Sequence, residues 1–170
     1  MRGKALKPSE LKVILDQHRL WIEGVSLAGK RADLGGADLR GAYLERAYLK
    51  RAYLQNADLR GADLAGANLE RAYLQNASCR HANLRGANLV GANLGGVNLV
   101  GANLGGADLR HANLRGADLQ HATFTTNFGK VEWFEGATFS EDQIAWVCLH
   151  PKFGAWESTL KWVTTSADAA

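Results

Sequence analysis

The chain has 170 residues, with 20 Lys+Arg against 17 Asp+Glu for a net charge of +3, and 46% hydrophobic side chains. That length suits one domain, and a charge this close to balance excludes a strongly basic nucleic-acid footprint. No apolar run approaches the ~18 residues of a membrane span, and the charged start MRGKALKPSELK is not followed by an apolar core, so neither a transmembrane helix nor a secretory leader is expected. Two cysteines, Cys79 and Cys148, read as buried free thiols in a reducing compartment, which makes the cytoplasm the expected location.

The first element is PSELKVILDQHRLWIEG, which predicts an amphipathic helix. Ser9 is the expected N-cap, with Glu10 in the first turn. Leu11, Ile14, Leu15, His18, Trp21 and Ile22 share one stripe at helical spacing, and Gly24 ends the helix. Residues 1–30 form this helix and its linker, with Val25 to Arg31 joining it to the first repeat unit.

From Ala32 to about Thr126 the motif Ala-(Asp/Asn/Tyr)-Leu-X-X recurs every five residues without an insertion. The Ala column spans nineteen units and is broken only by Val97; the Leu column departs at Cys79 and at Phe124. A straight helix scatters residues five apart around its circumference, and a straight strand points them to opposite faces. Within a unit, Ala and Leu are two apart and share a face. The consistent solution is a short extended piece and a turn in each unit, with Gly at the last position (Gly36, Gly41, Gly61 and others) suited to the turn. The segment RAYLQNA occurs at Arg51 and again at Arg71, twenty residues on, which suggests four units per coil; copies thirty apart, starting at Cys79 and Leu109, leave that open.

A(D/N)LXX over about 95 residues resembles the pentapeptide-repeat family. The resemblance implies an all-β solenoid, a right-handed quadrilateral parallel β-helix of nearly five coils, with Leu and Ala inward and the other three positions outward. At the ~4.8 Å separation of neighbouring strands the rod is expected to stand roughly 23 Å tall. Helical caps are expected at both ends, because an open solenoid end exposes apolar core and unpaired backbone. The coils occupy 31–126, a degenerate last coil and C-terminal cap 127–165, and a disordered tail 166–170.

The outward residues carry what information there is about recognition. Four units per coil stack Arg40, Arg60 and Arg80 in one column, with Asp38 and Asp58 two residues before the first two. This column is either a basic ladder for phosphates or an acidic partner, or a set of cross-coil Asp–Arg pairs on a wet surface. Tyr43, Tyr48, Tyr53 and Tyr73 decorate the N-terminal half, either supporting the stack or forming a contact patch. Asn83, Asn88, Asn93, Asn98, Asn103 and Asn113 read as scaffold. His81 and His121 share a column two coils apart, ~10 Å, too far for joint metal ligation.

After Thr126 the repeat decays, although Phe134 and Phe139 keep register with Phe124 and Ala137-Thr138-Phe139 imitates a unit. Ser140 and Gln143 form a capping box expected to open a helix to about Leu149. A second helix or irregular segment is expected from about Gly154 to Val163. Trp146, Trp156, Leu160, Trp162 and Val163 are the candidate contacts of a cap or of a homodimer, since a C-terminal helix pairs two rods end to end in several members of the family.

The sequence contains no phosphate-cradling Gly loop, no HExxH, CxxC or GxSxG, and the glycines belong to the repeat. A non-enzymatic protein-interaction scaffold without cofactor, metal or small-molecule substrate is therefore expected, with an unidentified protein as partner. Two alternatives stand beside it. The resemblance implies the first, a DNA mimic that binds a type II topoisomerase such as gyrase and protects against quinolones or toxins. That role needs an acidic outer surface, whereas 31–125 carries eleven basic and eight acidic side chains. The second is weak nucleic-acid binding through the Arg column.

Overall fold

The computed structural model describes residues 5–24, 29–124, 136–140, 143 and 161–163. The helix α1 runs Pro8–Glu23, two residues earlier than a Ser9 cap allows, with Lys7 at the N-cap. Pro8 takes the first helical position because its ring presets the helical φ and it has no N–H to satisfy. The Lys7 N–H instead donates to Glu10 Oε2 at 2.9 Å, so Glu10 closes the first turn. Gly24 ends the helix in the left-handed region, φ 66°. Leu11 and His18 are buried, while Ile14, Leu15, Trp21 and Ile22 are half-buried, which is the stripe the spacing predicts.

The repeat coils with a period of twenty residues. Parallel bridges join Asp33 to Tyr53, Asp38 to Asp58, Tyr43 to Asp63 and Tyr48 to Asn68, and continue up the rod in the same four columns. Four units therefore make a coil, and the thirty-residue copies record sequence similarity without structural register. From Leu34 to Leu99 the Leu amides donate to the carbonyl nineteen residues later, as Leu54 to Tyr73 O at 2.8 Å, and the corners close with an amide three residues on, as Ala57 to Leu54 O at 3.1 Å. The ladder widens into named strands only at its C-terminal end, where β1 (Asn103–Leu104) pairs with β2 (Thr123–Phe124) in parallel. This is a β-helical solenoid.

Asp and Asn recur at the second position because their side chains bond forward. Asp63, Asn68, Asn88 and Asn103 each accept the amide two residues on at 3.0–3.1 Å, an Asx turn that holds the corner in place. Some amides also bond across coils, as Asn83 Nδ2 to Asp63 Oδ1 at 3.0 Å. The last position of each unit is left-handed. Glycine fills most of these corners, but Arg46, Arg51, Asn56, Arg71, Asn76, His81, His111 and His121 hold φ between 53° and 60° there, at a cost of about 1 kcal/mol or more each.

Leu and Ala form one continuous core from Ala32 to Phe124, and Val97 and Cys79 are accommodated within it. Register survives past Phe124, since β3 (Thr138–Ser140) returns to the column of Asp118 with Ala137 and Phe139 buried. Ser140 N–H donates to Gln143 Oε1 at 2.8 Å, and Gln143 Nε2 donates to the carbonyls of Leu119 and Ala122, both at 2.8 Å. The Ser140–Gln143 contact is thus present, and the helix expected beyond it lies outside the described residues. Lys161–Val163 is not helical. It forms β4, parallel to β3, with Phe139 opposite Trp162; Trp and Val favour strands, and the pairing satisfies an otherwise open edge of β3. Trp146, Trp156 and Leu160 lie outside the described residues, as does the path from 127 to 135.

The packing of this core is open to two tests. Leu84→Ala, at a buried site in the Leu column, should lower the unfolding free energy by about 2–5 kcal/mol in urea titrations; a loss near zero would contradict a close-packed column. Burial pushes the Cys79 thiol up to about 12. In a Cys148→Ser background, thiol reagents at pH 8 should therefore label native protein only at its unfolding rate and denatured protein at once.

Candidate interaction face

The column of Arg40, Arg60 and Arg80 is where the sequence places it, on one face of the coils. Together with Asp38, Asp58, Asn56, Asn76 and Ser78 it lines an open depression of about 410 Å³. A second, more apolar depression of about 310 Å³ lies between α1 and the first coil, walled by Leu6, Leu11, Leu15 and Leu39 with Tyr43 at its rim. The two share Asp38 and Arg40, so polar and apolar parts form one continuous face.

Electrostatically the three arginines differ. Arg40 grips Asp38 with Nε at 2.8 Å and Nη2 at 2.6 Å, and Arg60 grips Asp58 with Nε at 2.7 Å and Nη2 at 2.6 Å. Each pair closes within its own unit, i to i+2, and only the longer Arg40 Nε–Asp58 Oδ2 approach, 3.8 Å, runs between coils. Hydrogen bonds from Arg40 hold the Asp38 carboxyl down at about 2, and those from Arg60 lower Asp58. Position 78 is Ser, so Arg80 has no carboxylate two residues before it, and among the described residues none pairs with it. The coil above continues with Asn98 and Val100, which are neutral.

The four tyrosines do not form one patch. Tyr43 is 91% exposed at the apolar depression, and Tyr48 stands over Asn68 on a different face. Tyr53 and Tyr73 stack on a third face at 5.5 Å. There Arg31 sits over them, its Cζ 3.7 Å from the Tyr53 ring centroid and 5.1 Å from that of Tyr73, and its Nη1 donates to Tyr53 Oη at 2.7 Å. The same guanidinium lies 5.7 Å from the Trp21 ring of α1. Tyr53 and Tyr73 thus belong to a clasp that ties helix, linker and coils together. Sequence reasoning missed Arg31 because it precedes the first unit, and no local spacing links it to rings more than twenty residues away.

His81 leans over Gly101, where an added Cβ would meet its Nδ1 at 2.5 Å. Among the described residues no three His, Cys, Asp or Glu side chains gather as metal ligands, and no helix is long and apolar enough to cross a membrane.

The model of the family described as pentapeptide repeats matches residues 30–66, 52–91, 62–100 and 87–125. Among solved structures, the chain is similar to the pentapeptide repeat protein Rfr23 from the cyanobacterium Cyanothece 51142, at 30% identity over 71% of this chain and 94% of that one, with a TM-score of 0.52. A pentapeptide repeat protein from the Arabidopsis thaliana thylakoid lumen is 34% identical over 69% of this chain and 74% of its own, with a TM-score of 0.46. The plasmid-mediated fluoroquinolone resistance protein QnrB1 is 23% identical over 67% of this chain and 63% of its own, with a TM-score of 0.45, and at that distance its role does not carry over. No match is found among curated proteins. The twenty-residue register, the inward Leu and Ala columns and a family match across the whole coil region place this chain in the pentapeptide-repeat family.

Proposed function

We propose that the chain is a non-enzymatic interaction scaffold that receives a segment of a partner protein along the face of Arg40, Arg60 and Arg80. One observation carries this reading: Ser78 leaves Arg80 as the guanidinium of that column without an internal carboxylate, in a polar depression continuous with an apolar one. Arg40 and Arg60 shape the surface but are already neutralised, so Arg80 is the point that accepts an acidic group of the partner. The depression beside α1, rimmed by Tyr43, takes an apolar side chain. Separating these points are two coils, roughly 10 Å, or about three residues of extended chain. A cytoplasmic protein and an end-to-end homodimer through the C-terminal segment belong to the same reading.

The topoisomerase-binding reading is weaker, because a duplex mimic needs carboxylates free to stand for phosphates. Here Asp38, Asp58 and Asp108 are each held by the arginine two residues on, and Glu70 by Lys50 at 2.8 Å. Nucleic-acid binding through the column is weakened by the same pairing.

The test uses a partner captured by crosslinking and then purified. Arg80→Ala should weaken its binding by about tenfold, as expected for loss of a hydrogen bond to a charged group. Ser78→Asp, which keeps the arginine but supplies the missing carboxylate, should do the same, and Arg40→Ala should do less. Equal binding by wild type, Arg80→Ala and Ser78→Asp would remove this face from the function.

A further inference from the structure

The inner face of α1 carries a titratable group that the interaction face does not use. His18 is fully buried, and its Nδ1 accepts the Ala32 amide at 3.0 Å. A backbone N–H can only donate, so Nδ1 must hold a lone pair and the ring must be neutral, with its proton on Nε2. Nε2 is buried without a formed hydrogen bond, although the Lys50 backbone carbonyl lies close enough to favour a proton there. The ring stacks on Trp21 at 5.6 Å and 14°. Of the groups that face it, the linker contributes the charged Arg31, the first coil the neutral Lys50 carbonyl, and the helix itself the uncharged Trp21 ring.

Among the described residues, few other polar contacts dock α1. Lys30 N–H donates to Gln17 O at 3.1 Å, and Gly29 passes so close that an added Cβ would meet the Trp21 amide nitrogen at 2.5 Å. The linker is pressed against the backbone of the helix at this point, and the His18 ring itself has no exposure to solvent. A proton on Nδ1 would set two donors, imidazolium and Ala32 N–H, against each other beside the Arg31 cation.

We infer that His18 is a pH-operated latch: the neutral imidazole holds α1 on the first coil, and protonation releases the helix together with the part of the apolar depression's wall that it carries, Leu11 and Leu15. The consequence for partner binding rests on the function proposed above, whereas the latch itself does not. Burial lowers the His18 pKa from histidine's ordinary 6.5, the nearby Arg31 charge acts the same way, and the Lys50 carbonyl opposes them in part. The undocked helix binds the proton more readily than the docked one, so docking is fully stable above pH 6.5 and weakens as pH falls from there toward the docked-state pKa. The window opens at histidine's ordinary 6.5 and reaches down as far as burial has lowered the docked-state pKa.

The test is NMR on the full chain without any partner, following the imidazole resonances and the amide protection factors of α1 relative to the coils. Between pH 6.5 and the docked-state pKa, α1 protection should fall by up to about tenfold per pH unit, the limit for one linked proton, while the coils hold theirs. His18→Gln, whose Oε1 can accept the Ala32 amide without titrating, should keep its α1 protection unchanged across that range. If wild-type α1 stays protected down to pH 4.5, or if His18→Gln loses protection along the wild-type curve, the latch is wrong. The wild-type titration decides alone if the variant does not hold the helix at neutral pH. Because no partner is present, failure of the interaction-face reading leaves this outcome unaffected.

Discussion

The rod depends on backbone hydrogen bonds that join residues nineteen to twenty-one apart, such as Leu64 to Asn83 O at 2.7 Å and Asn83 to Ala62 O at 2.9 Å. Leu and Ala alone do not impose this, since an apolar column can be buried in many ways. What forces the register is that each corner amide and carbonyl must find a partner away from water, and the coil above and the coil below are the only continuous supply. The Asx turn at the second position and the left-handed corner at the fifth set the chain direction so that those partners line up. Each coil therefore needs its neighbour, and the stability of the stack is cooperative along its length.

A lattice this regular converts sequence differences into columns. Whatever stands twenty residues apart is stacked, and whatever stands five apart is turned to another side. This is why Arg40, Arg60 and Arg80 are assembled into one face while the tyrosines are dispersed over three. It also gives a single substitution an outsized effect: Ser78 in a position that carries Asp at 38 and 58 leaves the arginine beside it without a carboxylate partner while the backbone ladder continues unchanged. Pairing matters more than residue count here, because an exposed Asp–Arg pair contributes little to stability but removes a guanidinium from recognition.

The N-terminal end obeys different physics. Ala5 bridges to Asp38 of the first coil, so the edge of the rod is partly satisfied by chain that belongs to no repeat. Beyond this, α1 is held by a clasp of aromatic and cationic groups, Trp21, Arg31, Tyr53 and Tyr73, and by His18. Such contacts are few and specific where the coils' contacts are many and identical. The helix is consequently the place where conditions can change the structure without melting the coils.

The five-residue period by itself determined the inward columns, the turns and the family, because neither a straight helix nor a straight strand puts residues five apart on one face and the pattern repeats nineteen times. Spacing within one element also placed the apolar stripe of α1, whereas the arginine column follows only if four units make a coil. Coordinates were needed to choose twenty over thirty as the coil period, since both copies exist in the sequence and only backbone pairing distinguishes them. They were needed as well to show that Asp38 and Asp58 bind within their own unit, that Lys161–Val163 pairs as a strand, and that Arg31 and His18 clasp the first coil. Sequence spacing reports which side chains share a face of one element. The partner of an arginine or a buried imidazole is set by three-dimensional distance between elements, and that is decided only once the coils have stacked.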